Sequence, residues 1–334
     1  HTTRQSWETS LGSPATEPDI ADLLGEEFTG ALLMGGRSTT SANYTEERGK
    51  STVRHDGRTN AVSAAGNARI NHAGAAVTTE IADDHCRHSW LESIGPGNNG
   101  FENVYIQAIA SGGQVYVHHN ILGNNDASTS AAQHGVRCNA TNGAICVFFN
   151  IVYGHGGNGI QSQTGGASSV FYNNTVYRCN RSNTGGGVRG GIRSTDTDWT
   201  VYNNAAMENL QADFLETGGT FDYNASDDAT GDDEGSNGLI NRTPADEFVS
   251  PTSTYTALDL LLLSTSTLIG EGTDISGSGL PDITLDIKGD TITAPYPIGA
   301  AYYVAAGGAT TRGTPFGHRG TAFNGGRTFH GIIQ

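Results

Sequence analysis

Apolar residues in this chain fall into short clusters rather than helical stripes. From Gln114 to Asn204 four clusters close on asparagine: Val117-His118-His119-Asn120, Val147-Phe148-Phe149-Asn150, Phe171-Tyr172-Asn173-Asn174 and Val201-Tyr202-Asn203-Asn204. The closing asparagines lie 30, 24 and 30 residues apart. A second series keeps the same phase: Gly135-Val136-Arg137, Gly159-Ile160-Gln161, Gly191-Ile192-Arg193 and, more loosely, Asp213-Phe214-Leu215. Two series in phase at such a period describe one unit stacked on itself. Runs such as Cys146-Val147-Phe148-Phe149, separated by Gly, Asn and Ser, read as short strands. One coil cannot bury its own apolar side; coils stacked about 4.8 Å apart can. The pattern therefore predicts an all-β fold, a right-handed parallel β-helix. Asn120, Asn150, Asn174 and Asn204 should pile into a column in which each amide bonds to the next and asparagine takes the left-handed backbone of the turn. The competing reading is an antiparallel β-sandwich with accidental repeats. Few tight hairpin signals and the shared phase argue against it.

The flanks carry weaker patterns. Residues 1–64 are expected to form an N-terminal arm and cap, with a short helix at Pro18-Asp19-Ile20-Ala21-Asp22-Leu23-Leu24-Gly25, acidic at its start and closed by glycine. The solenoid is expected over residues 65–304. It includes an acidic glycine-rich loop at 222–238, an apolar stretch at 258–268 over the last coil, and a closing strand at Ile298-Gly299-Ala300-Ala301-Tyr302-Tyr303-Val304. Residues 305–334 read as an extended basic and aromatic C-terminal arm, with Phe316, Arg319, Phe323, Arg327 and Phe329 as anchors on a neighbouring subunit; a disordered end is the alternative.

Charge sharpens this division. The 334 residues hold 18 Lys and Arg against 34 Asp and Glu, a formal net charge of −16. The tail from Gly307 has Arg312, Arg319 and Arg327 and no acid, so the remainder carries (18 − 3) − 34 = −19. Such a body argues against nucleic acid or an anionic membrane as partner. No apolar run reaches membrane-spanning length, and no charged-then-apolar leader opens the chain at His1. The cysteines Cys86, Cys138, Cys146 and Cys179 lack zinc spacing and read as buried apolar residues, with a Cys138–Cys146 disulfide as the alternative.

The repeats, the acidic loop and the close Asp286-Ile287-Lys288-Gly289-Asp290 followed by Ile298-Gly299-Ala300 resemble the right-handed parallel β-helix repeat proteins. These are related in fold to pectate lyases and occur in marine bacteria and tailed phages. The resemblance covers roughly residues 50 to 304. Pro297 and Tyr302 stand where relatives carry acids. It implies polysaccharide lyases, glycoside hydrolases, tailspikes or structural virion proteins, a choice the fold alone does not make.

A lyase of this kind needs a base and often carboxylates that hold Ca²⁺. Arg137, Gln161 and Arg193 share one outward phase, with His134, Asn158, Asp196 and Asp198 near in sequence. Asp196 and Asp198 form a catalytic pair on one strand or flank a turn before Trp199. Asp227, Asp228, Asp232 and Asp233 are candidate Ca²⁺ ligands or a solvated loop. Trp90, Tyr153 and Tyr177 are candidate sugar platforms. His118 and His119 read as packed or exposed strand residues. Three functions follow: a structural assembly protein of a phage-like virion, binding copies of itself or other virion proteins; an enzyme cleaving an acidic polysaccharide; and a carbohydrate-binding β-helix. The missing catalytic constellation and the long polar termini favour the first, at the virion surface or outside the cell.

Overall fold

The structure, a computed structural model, describes residues 4–24, 27–58, 67–72, 76–95, 101–107, 109–124, 130–139, 142–163, 169–182, 189–195, 197–216, 218–231, 235–303 and, for the backbone, 331–333. It is a right-handed parallel β-helix with three long parallel sheets. Each of the first seven coils gives one short strand to each sheet. The first coil comprises Asp19–Leu23, Glu27–Phe28 and Leu32–Met34; the eighth supplies Thr220–Asp222 and Ala225–Ser226. Register is strict. Val117 pairs with Val147, Val147 with Phe171, Phe171 with Val201 and Val201 with Phe221, and all five point inward and are buried. Leu122, Val152, Val176 and Ala206 do the same in the second sheet, and Val136, Ile160, Ile192 and Phe214 in the third. Each large apolar side chain so buried contributes about 1.5–3 kcal/mol, which a lone coil could not collect.

The asparagine column is present, and it is one rung longer than expected. Asn120 Nδ2 donates to Asn150 Oδ1 at 3.1 Å, Asn150 to Asn174 at 3.0 Å, Asn174 to Asn204 at 2.9 Å and Asn204 to Asn224 at 3.1 Å. The left-handed residue is not the ladder asparagine, however. It is the residue before it: His119, Phe149, Asn173, Asn203 and Tyr223 have φ between 49° and 59°, and Trp90, one coil earlier and followed by Leu91, shares that backbone. The strand must turn sharply there, and the following asparagine satisfies the backbone left open by that turn.

The rod begins earlier than residue 65. Asp19–Leu23 pairs in parallel with Thr45–Gly49, which pairs with His85–Ser89. The helix expected at 18–25 is thus a strand: Ala21 and Leu23 alternate inward, a period of two that its acidic first residues mask. The N-terminal cap is instead α1, Arg4–Ser10. Trp7 packs on Ala21, Leu23, Phe28 and Ile70. Arg4 reaches into the open end and forms a fork on Glu47, Nε to Oε1 at 2.5 Å and Nη2 to Oε2 at 2.8 Å. Its remaining donors meet Gly30 O, Thr78 O and Thr79 Oγ1. Glu47 occupies an interior position beside His88, so this ion network plugs the first coils where apolar residues fill the later ones.

Residues 244–303 neither cover the last coil nor add a closing strand to the rod. They run back along its side. Phe248, Leu258, Leu260, Leu262, Leu268, Ile287 and Ile298 pack on outward residues of the second sheet, among them Ile121, Ile151, Tyr153, Tyr177 and Met207. Ile275, Ile283 and Ile292 pack on Cys146, Phe148 and Phe149 of the first sheet and its turn. Residues 298–303 are irregular because they bind side chains and turns instead of a strand edge: Asn173 Nδ2 donates to Pro297 O and Gly299 O, and Ala300 N to Thr175 Oγ1. The left-handed column thus doubles as the seam that holds this segment. Trp90 stacks on His119 at 4.1 Å, with Arg54 over the other side of the indole. All four cysteines are free and buried, so the Cys138–Cys146 link is absent.

Candidate functional site

With two outer faces occupied by residues 244–303, the outer face of the third sheet is the one these residues leave uncovered. Its middle row runs in register as Leu33, Glu80, Tyr105, Arg137, Gln161, Arg193 and Leu215. The row exists because three-residue strands bury their outer two positions and project the central one, as in Val136-Arg137-Cys138. The segments entering this sheet also make the coils unequal. Twelve residues (124–135) separate the second-sheet and third-sheet strands in the fourth coil, six (154–159) in the fifth, fourteen (178–191) in the sixth and six (208–213) in the seventh. Variation in loop length beside a fixed scaffold is where recognition residues concentrate.

The structure brings Arg137, Gln161, Arg193, His134 and Asn158 together at this face. Arg137 is held by Glu102, Nη1 to Oε1 at 2.9 Å, and by Gln163 Oε1, with its guanidinium 5.3 Å from the Tyr105 ring. Gln161 is buried and accepts from Asn158 Nδ2 at 2.7 Å. Asn158 donates its backbone N–H to His134 Nδ1 at 2.9 Å and accepts from Gly190 N at 2.9 Å. Burial, then Arg137, His155 and Arg189, push the His134 imidazole down to about 3, so it is neutral and its Nδ1 is an acceptor. It orients Asn158 and, holding a proton on Nε2 alone, is not an imidazolium acid near neutral pH. Arg193 is half-buried, and its Nε meets no hydrogen-bond partner among the described residues. Burial lowers the Arg189 guanidinium, and repulsion from Arg193 lowers it further.

Asp198 lies on the exposed turn that leads to Trp199; Asp196 lies outside the described residues. Tyr153 and Tyr177 are 2% and 0% exposed beneath the C-terminal segment, and Trp90 is 1% exposed, so none of them presents a stacking face to a sugar. The aromatic ring on the third sheet is Tyr105, which stands in register beside Arg137. It was legible, since Val104-Tyr105-Ile106 has the form of Val136-Arg137-Cys138.

Asp227 and Asp228 turn toward the backbone. Asp213 Oδ2 accepts from the N–H of Asp227 at 2.9 Å, Asp228 Oδ2 from that of Asp213 at 3.0 Å, and Asp227 Oδ2 from that of Glu208 at 3.0 Å. These carboxylates close the last coils. Asp232 and Asp233 lie outside the described residues, as do Phe316, Arg319, Phe323, Arg327 and Phe329 of the arm. Among the described residues no group of three or more His, Cys, Asp or Glu is arranged to hold a metal ion, and no helix is long and apolar enough to cross a membrane. No protein-family model, curated protein or solved structure matches this chain.

Proposed function

We propose that this chain recognises an acidic polysaccharide along the outer face of its third sheet. The observation that carries the reading is the row Tyr105, Arg137 and Arg193, in register across the buried Gln161 on the face that residues 244–303 leave uncovered, with Arg189 close enough to Arg193 to feel its charge. Two rungs separate Arg137 from Arg193, about 10 Å. A polymer with carboxylates or sulfates at regular intervals suits that spacing, and Tyr105 offers one edge to a sugar ring. The fold that the sequence resembles includes polysaccharide-cleaving enzymes among its uses, and a secreted or virion-surface location goes with this reading.

The test is affinity electrophoresis in gels containing polygalacturonate or alginate, with neutral dextran as control. Acidic polymer should retard the chain, and Arg193→Ala combined with Arg137→Ala should weaken retardation at least tenfold. Equal mobility in acidic and neutral gels would overturn the reading. Appearance of unsaturated ends, lost in Arg193→Ala, would add a lyase step on the same face.

The second reading is the structural assembly protein of a phage-like virion. One observation favours it: the strand Gly331–Ile333 sits on the outer edge of the first coil, at the end of a long connection.

A further inference from the structure

At the N-terminal end of the rod the second and third sheets stop on a strand of the first coil. The third sheet ends at Leu32–Met34 beneath α1, where Leu33 N donates to Gln5 Oε1 and Arg4 donates to Gly30 O. The first sheet ends differently. Asp19–Leu23 is extended by Gly331–Ile333 in parallel, with Ala21 opposite Gly331, Asp22 opposite Ile332 and Leu23 opposite Ile333. A strand edge offers unpaired N–H and C=O groups, and an added strand satisfies them whatever molecule it comes from.

The connection is far longer than the path within one molecule requires. Thr175, which accepts from Ala300 N, belongs to the sixth coil, and Asp19–Leu23 to the first. Five steps at about 4.8 Å give about 24 Å. Between Tyr303 and Gly331 lie 330 − 303 = 27 residues, which reach about 90 Å when extended. The segment is basic, with Arg312, Arg319 and Arg327 and no acid from Gly307 on. In the receiving coil Asp19 and Asp22 are already paired with Arg37 and Arg48, and Glu27 is the exposed acid. The edge offers any other copy's tail the same ladder that it offers its own. The ladder bonds are identical in the two arrangements, so only chain entropy separates them, and a long tether makes that difference small.

We propose that the outer edge of Asp19–Leu23 is a docking edge for the C-terminal strand of a second copy of this chain, joining copies by exchange of Gly331–Ile333. This goes beyond polysaccharide recognition and stands apart from the third sheet.

The test uses two full-length variants, Asp22→Cys and Ile332→Cys, at register partners whose Cα separation of about 4.8 Å suits a disulfide. The native cysteines are buried and do not compete. Circular dichroism verifies that each variant folds. The two are mixed at high concentration, oxidised and resolved on a non-reducing gel. Exchange predicts at least tenfold more linked heterodimer in the mixture than linked dimer in either variant alone. If the mixture stays monomeric while the Asp22→Cys/Ile332→Cys double variant closes an internal link, the strand serves only its own edge and the proposal fails. It fails equally if neither sample forms a link.

Discussion

The asparagine column is the part of the rod whose removal has the most definite cost. In Asn150→Ala the two donors on Asn120, its backbone N–H at 3.0 Å and its Nδ2 at 3.1 Å, both lose the acceptor Asn150 Oδ1. Val117 O and Asn174 Oδ1 lose a donor at 2.9 and 3.0 Å. Asn120 is fully buried, so water does not replace these bonds. At about 1–3 kcal/mol for each stranded donor, the two donors alone cost about 4 kcal/mol. The end of the column is cheaper in one respect: Asn224 accepts from Asn204 N and Nδ2 but passes no bond to a further asparagine, donating to Val201 O instead. Urea denaturation followed by far-ultraviolet circular dichroism is the assay. By this count Asn224→Ala, which strands Asn204 N and Nδ2, should also lose about 4 kcal/mol, and Asn150→Ala somewhat more, because Asn174 Oδ1 loses a donor too. Losses under about 1 kcal/mol at Asn150 would refute the reasoning, because the column would then be a consequence of stacking and not one of its causes.

Two further outcomes follow from the packing. Burial pushes His55, His119 and His155 from 6.5 down to about 4, so each is neutral in the folded chain and charges more readily once unfolded. Their contribution is complete above pH 6.5 and is lost as pH falls toward 4, at about 3 kcal/mol for a group moved that far. Asp286, raised to about 6 by burial against the opposing pull of Lys288, works with the opposite sign and offsets about one of them. Thermal melts between pH 7 and 4 should show a steep net decline that His155→Leu makes shallower; a flat profile would contradict the buried neutral tautomers. At Gly123, a Cβ would collide with the Tyr153 ring. Gly123→Ala should destabilise by about 1–3 kcal/mol, and Gly123→Ala/Tyr153→Ala should lose less than the sum of the single changes in the same urea assay.

The middle of the rod was readable because its inward positions are apolar and its turns repeat one residue type. Asn224 closes Phe221-Asp222-Tyr223 in the same form as its predecessors, but it follows Asn204 by 20 residues instead of 30 or 24. The first coils were not readable for a chemical reason. The strand Thr45-Glu46-Glu47-Arg48-Gly49 has no apolar alternation because its inward residue, Glu47, is paired with Arg4 from 43 positions away. No local pattern announces a partner so distant. The closing segment misled in the opposite way: Ile298 and Ala300 are apolar, yet what they bury is the outer face of a sheet already formed. At the candidate site the phase of Arg137, Gln161 and Arg193 was legible. That they lie on the uncovered face was not, since coverage of the other two faces depends on residues 244–303, which begin 51 positions beyond Arg193.

That return path bears on how a ribosome would deliver this molecule. Rungs can click together one after another as they emerge, because each leans on the rung made just before it. Their flanks stay bare until the stretch from Phe248 to Ile298 has left the exit tunnel. A message broken near the codon for residue 240 would therefore leave a nearly finished spiral with Ile121, Ile151, Tyr177 and Phe148 facing water. Such a fragment should be sticky and dependent on chaperones, even though almost every rung of its spine is in place.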